Sequence, residues 1–371
     1  MKKIFWLTGS SFFDVDEHIV PAFCKRYEIN WFVVIQRKSF FKKKDIDSIL
    51  KSNDIKGISV NWPKLSSLKS LIYYVKLSLK IKAGNYDLIY IDFLGLPYMF
   101  FIFYLLRIDK EKIIYACHDF IDHVEIKNRT FITYYKKFVF SKYQNFHLFS
   151  KTQLELFNQK YKKNAFYAPL TLKGFGESNK KKHNDGKVHF LFFGKIQERK
   201  GLEYLIKATN MLCQKYSGRF IVKIYGGCYN WKFYEKMIDS MDCFELCIRR
   251  IENIEIPGIF STSDYLILPY KDVTQSGPLL ISYYYNIPVI ASNHPGFNEY
   301  IQDGVNGFIF ENRNPQSLAL VMQNIIENKF DYQFICSNLN NYVKNELALD
   351  KILNLYDNGF NMIMNSNGTK Y

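Results

Sequence analysis

Short apolar runs rich in β-branched and aromatic residues alternate with longer helical patterns along the whole chain, and one polar stretch divides the alternation in two. Before it lie Lys3–Thr8, Asn30–Ile35, Gly57–Asn61, Asp87–Asp92, Lys112–Cys117, Phe146–Ser150 and Ala165–Ala168. After it lie Val188–Phe193, Phe220–Tyr225, Phe244–Ile248, Tyr265–Leu268, Pro288–Ala291 and Phe308–Phe310. A strand that is followed by a helix and then another strand builds a mostly parallel, doubly wound sheet. The divider, Glu177 to Gly186, holds almost nothing that enters a core and reads as an interdomain linker. The fold class expected is therefore α/β, with two Rossmann-like domains at 1–176 and 187–345. The remaining segment, 346–371, is purely helical.

Composition agrees with two cores. A chain of 371 residues exceeds the roughly 150 typical of one domain. Its 48% hydrophobic and 18% aromatic content excludes disorder. The net charge of +15 favours an anionic partner: nucleotide phosphates, acidic lipid headgroups or nucleic acid. Seven cysteines (24, 117, 213, 228, 243, 247 and 336) follow no regular framework and read as reduced cytosolic thiols. The apolar run Ile4–Leu7 is too short for a signal-peptide core, which places the chain in the cytoplasm. Phe93–Leu106 falls short of the ~20 residues of a spanning helix and is read as a buried helix.

Two segments of the second half carry chemistry. Phe193-Gly194-Lys195-Ile196-Gln197-Glu198-Arg199-Lys200-Gly201-Leu202 links a strand to a helix. Glycines let the backbone approach a ligand, a helix start supplies positive potential, and lysines are compact charges for phosphate oxygens, so this loop suits a diphosphate. Further on, Leu268-Pro269-Tyr270-Lys271-Asp272-Val273-Thr274-Gln275-Ser276-Gly277 puts backbone amides and small hydroxyls after another strand, at the edge where open parallel sheets bind ligands. Asn293 to Glu299 and the Asp303–Gly307 turn follow at the same edge.

In order and spacing these segments resemble glycosyltransferase family 4, in its Gln-Ser-Gly variant. The resemblance implies a retaining, metal-independent transferase of the GT-B fold, its two doubly wound domains facing across a cleft. It implies that Lys195 and Lys200 grip the donor diphosphate. Gly194, Glu198, Arg199, Thr274, Gln275, Ser276, Gly277 and Glu299 would line the same nucleotide-sugar pocket. Many family members carry two glutamates around the Ser-Gly block, the second holding the ribose; Val273 and Ile281 stand there instead, leaving the ribose contact unassigned. Phosphate charge that develops as the nucleotide leaves can be met by lysines and helix amides, so neither metal nor cofactor is expected. Retention in such enzymes is argued through front-face attack assisted by the leaving phosphate. The last helix, with Ile352, Leu353, Leu355, Tyr356 and Phe360 at helical spacing, would pack back on the first domain.

The first half echoes the family only in its strand rhythm and in Ala116-Cys117-His118-Asp119. The resemblance implies that His118 touches the transferred sugar, with Asp119 beside it. Gly9-Ser10-Ser11 follows the first strand, and its amides are expected to face the donor phosphates. The acceptor is read as lipid-linked or an envelope glycan. Both Arg37–Lys44 and the helical Lys64–Lys82 pattern mix cations with apolar residues, as at an anionic membrane face. A nucleotide-sugar epimerase would share this architecture but needs acid–base carboxylates around one sugar. A nucleic-acid-binding protein would need a recognisable basic and aromatic platform, and none is apparent.

Overall fold

The computed structural model describes residues 1–37, 39, 41–95, 98–120, 129–178 and 184–368. It divides into two units, Met1–Thr171 with Leu349–Tyr371, and Leu172–Ala348. The boundary precedes the expected 176 because the segment after Thr171 is tied to the second unit. Phe175 N–H donates to the Tyr285 hydroxyl at 3.3 Å, and that hydroxyl donates to the Gly176 carbonyl at 2.9 Å. Of the expected linker, residues 179–183 lie outside the described residues.

The first unit is a seven-stranded parallel sheet of β1 (Lys3–Gly9), β2 (Glu28–Ile35), β3 (Gly57–Asn61), β4 (Leu88–Asp92), β5 (Ile113–Cys117), β6 (Asn145–Leu148) and β7 (Asn164–Tyr167), in the order β3-β2-β1-β4-β5-β6-β7. The central strands read as unbroken apolar runs because helices cover both faces. The order reverses between β1 and β4, where Thr8 and Asp92 are register partners. Such a switch point opens a crevice at the carboxyl ends of the strands. The closing helix, Leu349–Gly368, packs within this unit: Tyr356 and Phe360 are fully buried, and their rings lie 4.7 Å from His147 and 5.8 Å from Tyr90 respectively.

The second unit is a six-stranded parallel sheet of β8 (Val188–Phe193), β9 (Phe220–Tyr225), β10 (Phe244–Cys247), β11 (Tyr265–Leu268), β12 (Val289–Ser292) and β13 (Gly307–Phe310), in the order β10-β9-β8-β11-β12-β13. Its switch point falls between β8 and β11. Both ligand-type loops of the sequence therefore leave neighbouring strands at one edge.

Two expectations are modified. Cys213 and Cys243 are joined in a disulfide, not reduced: the Leu202–Tyr216 helix and the turn before β10 bring their Cα atoms to 6.0 Å, within bridging distance. Within the Phe93–Leu106 window, the helix Met99–Leu105 buries Met99, Phe100, Ile102 and Phe103, but Leu105 is exposed. Leu96 and Pro97 lie outside the described residues. Among the described residues no helix is long and apolar enough to cross a membrane.

Candidate functional site

In the second unit the chain after β8 turns at Gly194, runs through a short 3-10 turn, Glu198–Lys200, and enters the Leu202–Tyr216 helix at Gly201. Gly201 has φ +61, and a side chain there would meet the Pro269 carbonyl oxygen at 2.0 Å. Glycine is thus required by both conformation and space, and its absent side chain lets this loop lie against the loop after β11.

That contact gives Lys200 its position. Although its side chain is long and charged, the residue is only 7% exposed. Its ammonium stands 5.3 Å from the centre of the Tyr270 ring. It also lies 3.1 Å from where a β-carbon on Gly194 would be, and Pro278 flanks the same spot at 3.7 Å. A buried ammonium needs compensation, and an aromatic face gives only part of it. The helix Gly277–Tyr284 begins here. Ser276 caps it through its hydroxyl, which accepts from Leu279 N–H at 3.4 Å. Gln275 is half-buried, and among the described residues its Nε2 is buried without a partner. An ammonium, a helix start and an amide donor thus come together at the switch point, an arrangement that favours a bound anion.

Lys195 is placed differently. It is exposed, and its ammonium lies 4.9 Å from the ring centre of Tyr229, itself 93% exposed. Glu198 is also open to solvent. Lys271 bonds Glu203 at 2.6 Å and lies 3.7 Å from Glu198. Burial pulls the Lys271 pKa down, but these carboxylates outweigh it and hold the ammonium above its ordinary value. Arg199 accepts at its carbonyl from Lys271 N–H. Thr274 contributes backbone to the wall beside Gly296, where a side chain would meet the Thr274 carbonyl at 3.0 Å. Glu299 closes the short Pro295–Asn298 helix one strand further along the edge, its carbonyl accepting from Tyr342. Val273 and Ile281 are buried, so neither offers a ribose contact. Tyr270, Lys271 and Tyr229 went unassigned from sequence; the position of Tyr270 directly after the Leu-Pro end of β11 was the available signal.

The first unit has its own cluster at the corresponding edge. His118, directly after β5, lies between the parallel rings of Phe12 and Phe149, with centroids at 3.9 and 4.2 Å. Its Nε2 meets Asp92 Oδ1 at 2.5 Å, and Asp92, the last residue of β4, is fully buried. The expected role of the Gly9–Ser11 amides is corrected for Ser10, whose N–H donates to the Val34 carbonyl at 2.8 Å. Its hydroxyl accepts from Gln36 N–H, so Ser10 pins β1 to β2. Gly9 packs against the Phe93 ring, where a side chain would collide at 2.4 Å, and Ser11 is exposed. The Asp119 carbonyl accepts from Lys136 Nζ at 2.5 Å. The expectation that the chain has no Asp-x-Asp motif is corrected: two such triplets, Asp14-Val15-Asp16 and Asp45-Ile46-Asp47, belong to this unit. Asp16 is fully buried under Trp6 and Thr8, and Asp47 is bound by Lys43 and Ser59.

Two parallel-sheet Rossmann-like units, one with an anion-type site at its switch point, define an α/β protein of the GT-B glycosyltransferase fold. The structure of Anabaena HepE in complex with UDP and glucose matches 98% of this chain and 100% of its own, at TM-score 0.72 and 15% identity. Residues 175–346, nearly all of the second unit, match the family described as glycosyl transferases group 1. An uncharacterized glycosyltransferase of Methanocaldococcus jannaschii is 25% identical over 71% of this chain and 72% of its own length. An uncharacterized 41.2 kDa protein in the cps region of Klebsiella pneumoniae is 25% identical over 67% of this chain and 72% of its own. The second unit thus matches a group 1 glycosyltransferase domain, and the chain is an enzyme of the glycosyltransferase class.

Proposed function

We propose that the chain is a retaining glycosyltransferase that takes a sugar from a nucleoside-diphosphate donor and places it on a lipid-linked or envelope polysaccharide acceptor. The observation that carries the donor half is Lys200, a buried ammonium set between Tyr270 and Gly194 beside the start of the Gly277–Tyr284 helix. Charge that develops on a departing diphosphate is stabilised by donors already aimed at it, which supports transfer without a metal. Lys195, more exposed, adds charge to the same loop. His118, held by Asp92 and two aromatic rings, is assigned the transferred sugar. The UDP and glucose bound by HepE support a nucleotide sugar as donor, and the cps-region relative supports a polysaccharide product.

The acceptor half rests on the first unit. Its helix Leu68–Ala83 exposes Leu68, Leu71, Ile72 and Leu79 beside Lys69, Lys76 and Lys80, a face suited to anionic lipid. The reading is tested by incubating the protein with UDP-, GDP- and ADP-sugars and a membrane extract carrying lipid-linked glycans, with and without EDTA. Transfer of label with retained anomeric configuration, undiminished by EDTA, is expected. Loss of transfer on chelation, restored by manganese or magnesium, would overturn the metal-free mechanism, and an inverted product would overturn retention.

A further inference from the structure

A chain of buried polar groups runs behind His118. Trp31 Nε1–H donates to Thr8 Oγ1 at 2.8 Å, Thr8 donates to Asp16 Oδ2, and Trp6 Nε1–H donates to the same oxygen at 2.9 Å. Thr8 and Asp92 are partners across β1 and β4, so Asp16 is bonded to the residue that stands beside Asp92 in the sheet. Each is fully buried. Each also keeps one oxygen, Asp16 Oδ1 and Asp92 Oδ2, without a hydrogen-bond partner among the described residues.

Two carboxylates buried this close do not both stay ionised. Burial and then the Asp92 charge push the Asp16 pKa well up; burial raises that of Asp92 too, but less, because the charge and hydrogen bond of His118 oppose it. The hydrogen-bond partners of Asp16 are neutral, whereas Asp92 has an imidazole. The proton therefore belongs on Asp16 and the negative charge on Asp92. A histidine whose one nitrogen donates to a carboxylate has its tautomer fixed by that bond.

We propose that Asp92 is a positioning residue for His118: it accepts the Nε2 proton and leaves the lone pair on Nδ1, so that the imidazole is an acceptor at its other nitrogen. Phe12 and Phe149 hold the ring plane, and Asp92 sets which nitrogen carries hydrogen. Asp16, kept neutral by its burial and by the Asp92 charge against the pull of the Trp6 and Thr8 hydrogen bonds, keeps a second negative charge away from the pair. The other titratable groups near this cluster are Asp14, Asp119, Cys117 and His147. The consequence for the sugar rests on the proposed contact of His118 with it; the tautomer does not.

The test is histidine-selective nitrogen-15 NMR of the full chain at pH 8, with the His118 signal assigned by its loss in His118→Gln. A neutral ring protonated at Nε2 is expected; a ring protonated at Nδ1, or an imidazolium, overturns the proposal. Asp92→Asn offers either an acceptor or a donor to the ring, and is expected to move the tautomer ratio towards Nδ1–H by about tenfold. An unchanged ratio overturns the role of Asp92. Asp16→Asn mimics a neutral carboxyl and is expected to leave both the ratio and the melting temperature near wild type. A changed ratio there would put the proton elsewhere. Should Asp92→Asn fail to fold, the wild-type and Asp16→Asn spectra decide. UDP-glucose hydrolysis is the second readout, with kcat lowered and KM nearly unchanged expected in Asp92→Asn. A chain that cleaves no nucleotide sugar would sink the proposed function while leaving the tautomer result standing.

Discussion

Lys271 N–H donates to the carbonyl of Arg199 at 2.8 Å, a bond that ties the loop after β11 to the loop after β8. The two residues stand 72 positions apart in sequence, yet their segments form one wall. The wall explains how a charged side chain comes to be buried at Lys200: Tyr270, the residue before Lys271, supplies the ring beneath its ammonium.

Lys200→Ala is accordingly expected to weaken UDP binding by about 10- to 100-fold, the loss of a charge-assisted contact of ~1.5–3 kcal/mol in a site shielded from water. Lys195→Ala, at an exposed position, is expected to cost less than about 1 kcal/mol. Titration calorimetry with UDP, GDP and ADP measures both. Equal losses in the two variants would show that exposure does not rank these lysines, and unchanged affinity in both would remove the diphosphate site.

The closing helix is expected to be integral to the first unit. Phe360 is fully buried against Trp6, Phe23, Tyr90 and Phe166, and Asp357 bonds Tyr27 and Arg26. Phe360→Ala removes a large side chain from a packed aromatic cluster and should destabilise by about 3–5 kcal/mol. Chemical denaturation followed by far-ultraviolet circular dichroism reads this; a change below about 1 kcal/mol would mean that the cluster collapses around the gap without cost.

A pH dependence follows from His147. The ring is fully buried, Tyr90 donates to its Nδ1 at 2.7 Å, and its Nε2–H donates to the Ala168 carbonyl at 2.9 Å. Burial, the first cause, lowers its pKa to about 3. With the folded pKa depressed below an unfolded value of about 6.5, the neutral ring's contribution is present above pH 6.5 and is lost as pH falls towards 3. Wild-type stability should decline across that window by up to about 1.4 kcal/mol per pH unit more than in His147→Gln, which has no proton to gain. Parallel stability–pH curves for the two proteins would contradict a neutral buried ring.

Each apolar run read as a strand has its counterpart in the two sheets, because parallel strands buried on both faces leave a continuous apolar signature. Lys200 and Gly194 were legible for the same reason: glycine and lysine between a strand and a helix are a local pattern. What was not legible depended on register. Asp92 is unremarkable at the end of its run, and only the pairing of β4 with β1 and the reach of His118 from β5 bring out its role. The Ser10 amide looked available until β2 was placed beside it. The Cys213–Cys243 bridge likewise needs the helix after β8 to lie against the turn before β10, which spacing alone does not reveal.

The last prediction concerns the outer helices of the first unit. On the Leu68–Ala83 helix, Leu68, Ile72 and Leu79 recur along one line, with Lys69, Lys76 and Lys80 along the next. The Arg129–Lys142 helix adds exposed Phe131, Tyr134 and Lys137, and Tyr104 and Leu105 are exposed at the end of the helix that packs against both. Of the sequence's other basic segment, Lys38 and Phe40 lie outside the described residues, and Lys43 is engaged by Asp47 and Ser59. The three helices therefore carry the stronger case. Each lysine near an anionic surface contributes ~1 kcal/mol, so replacing Lys69, Lys76, Lys80 and Lys137 with glutamine should reduce binding to phosphatidylglycerol vesicles by at least about tenfold. Because exposed charges are screened within about 10 Å at 0.1 M salt, added salt should release the wild type progressively. Ile72→Ser with Leu79→Ser should weaken binding further without altering this salt dependence, since these side chains contribute burial in the headgroup layer, not charge. Vesicle flotation with UDP affinity as a control separates the effects. A wild-type chain that stays in the unbound fraction at low salt, or a glutamine variant that floats equally well, would show these helices to be ordinary solvated faces.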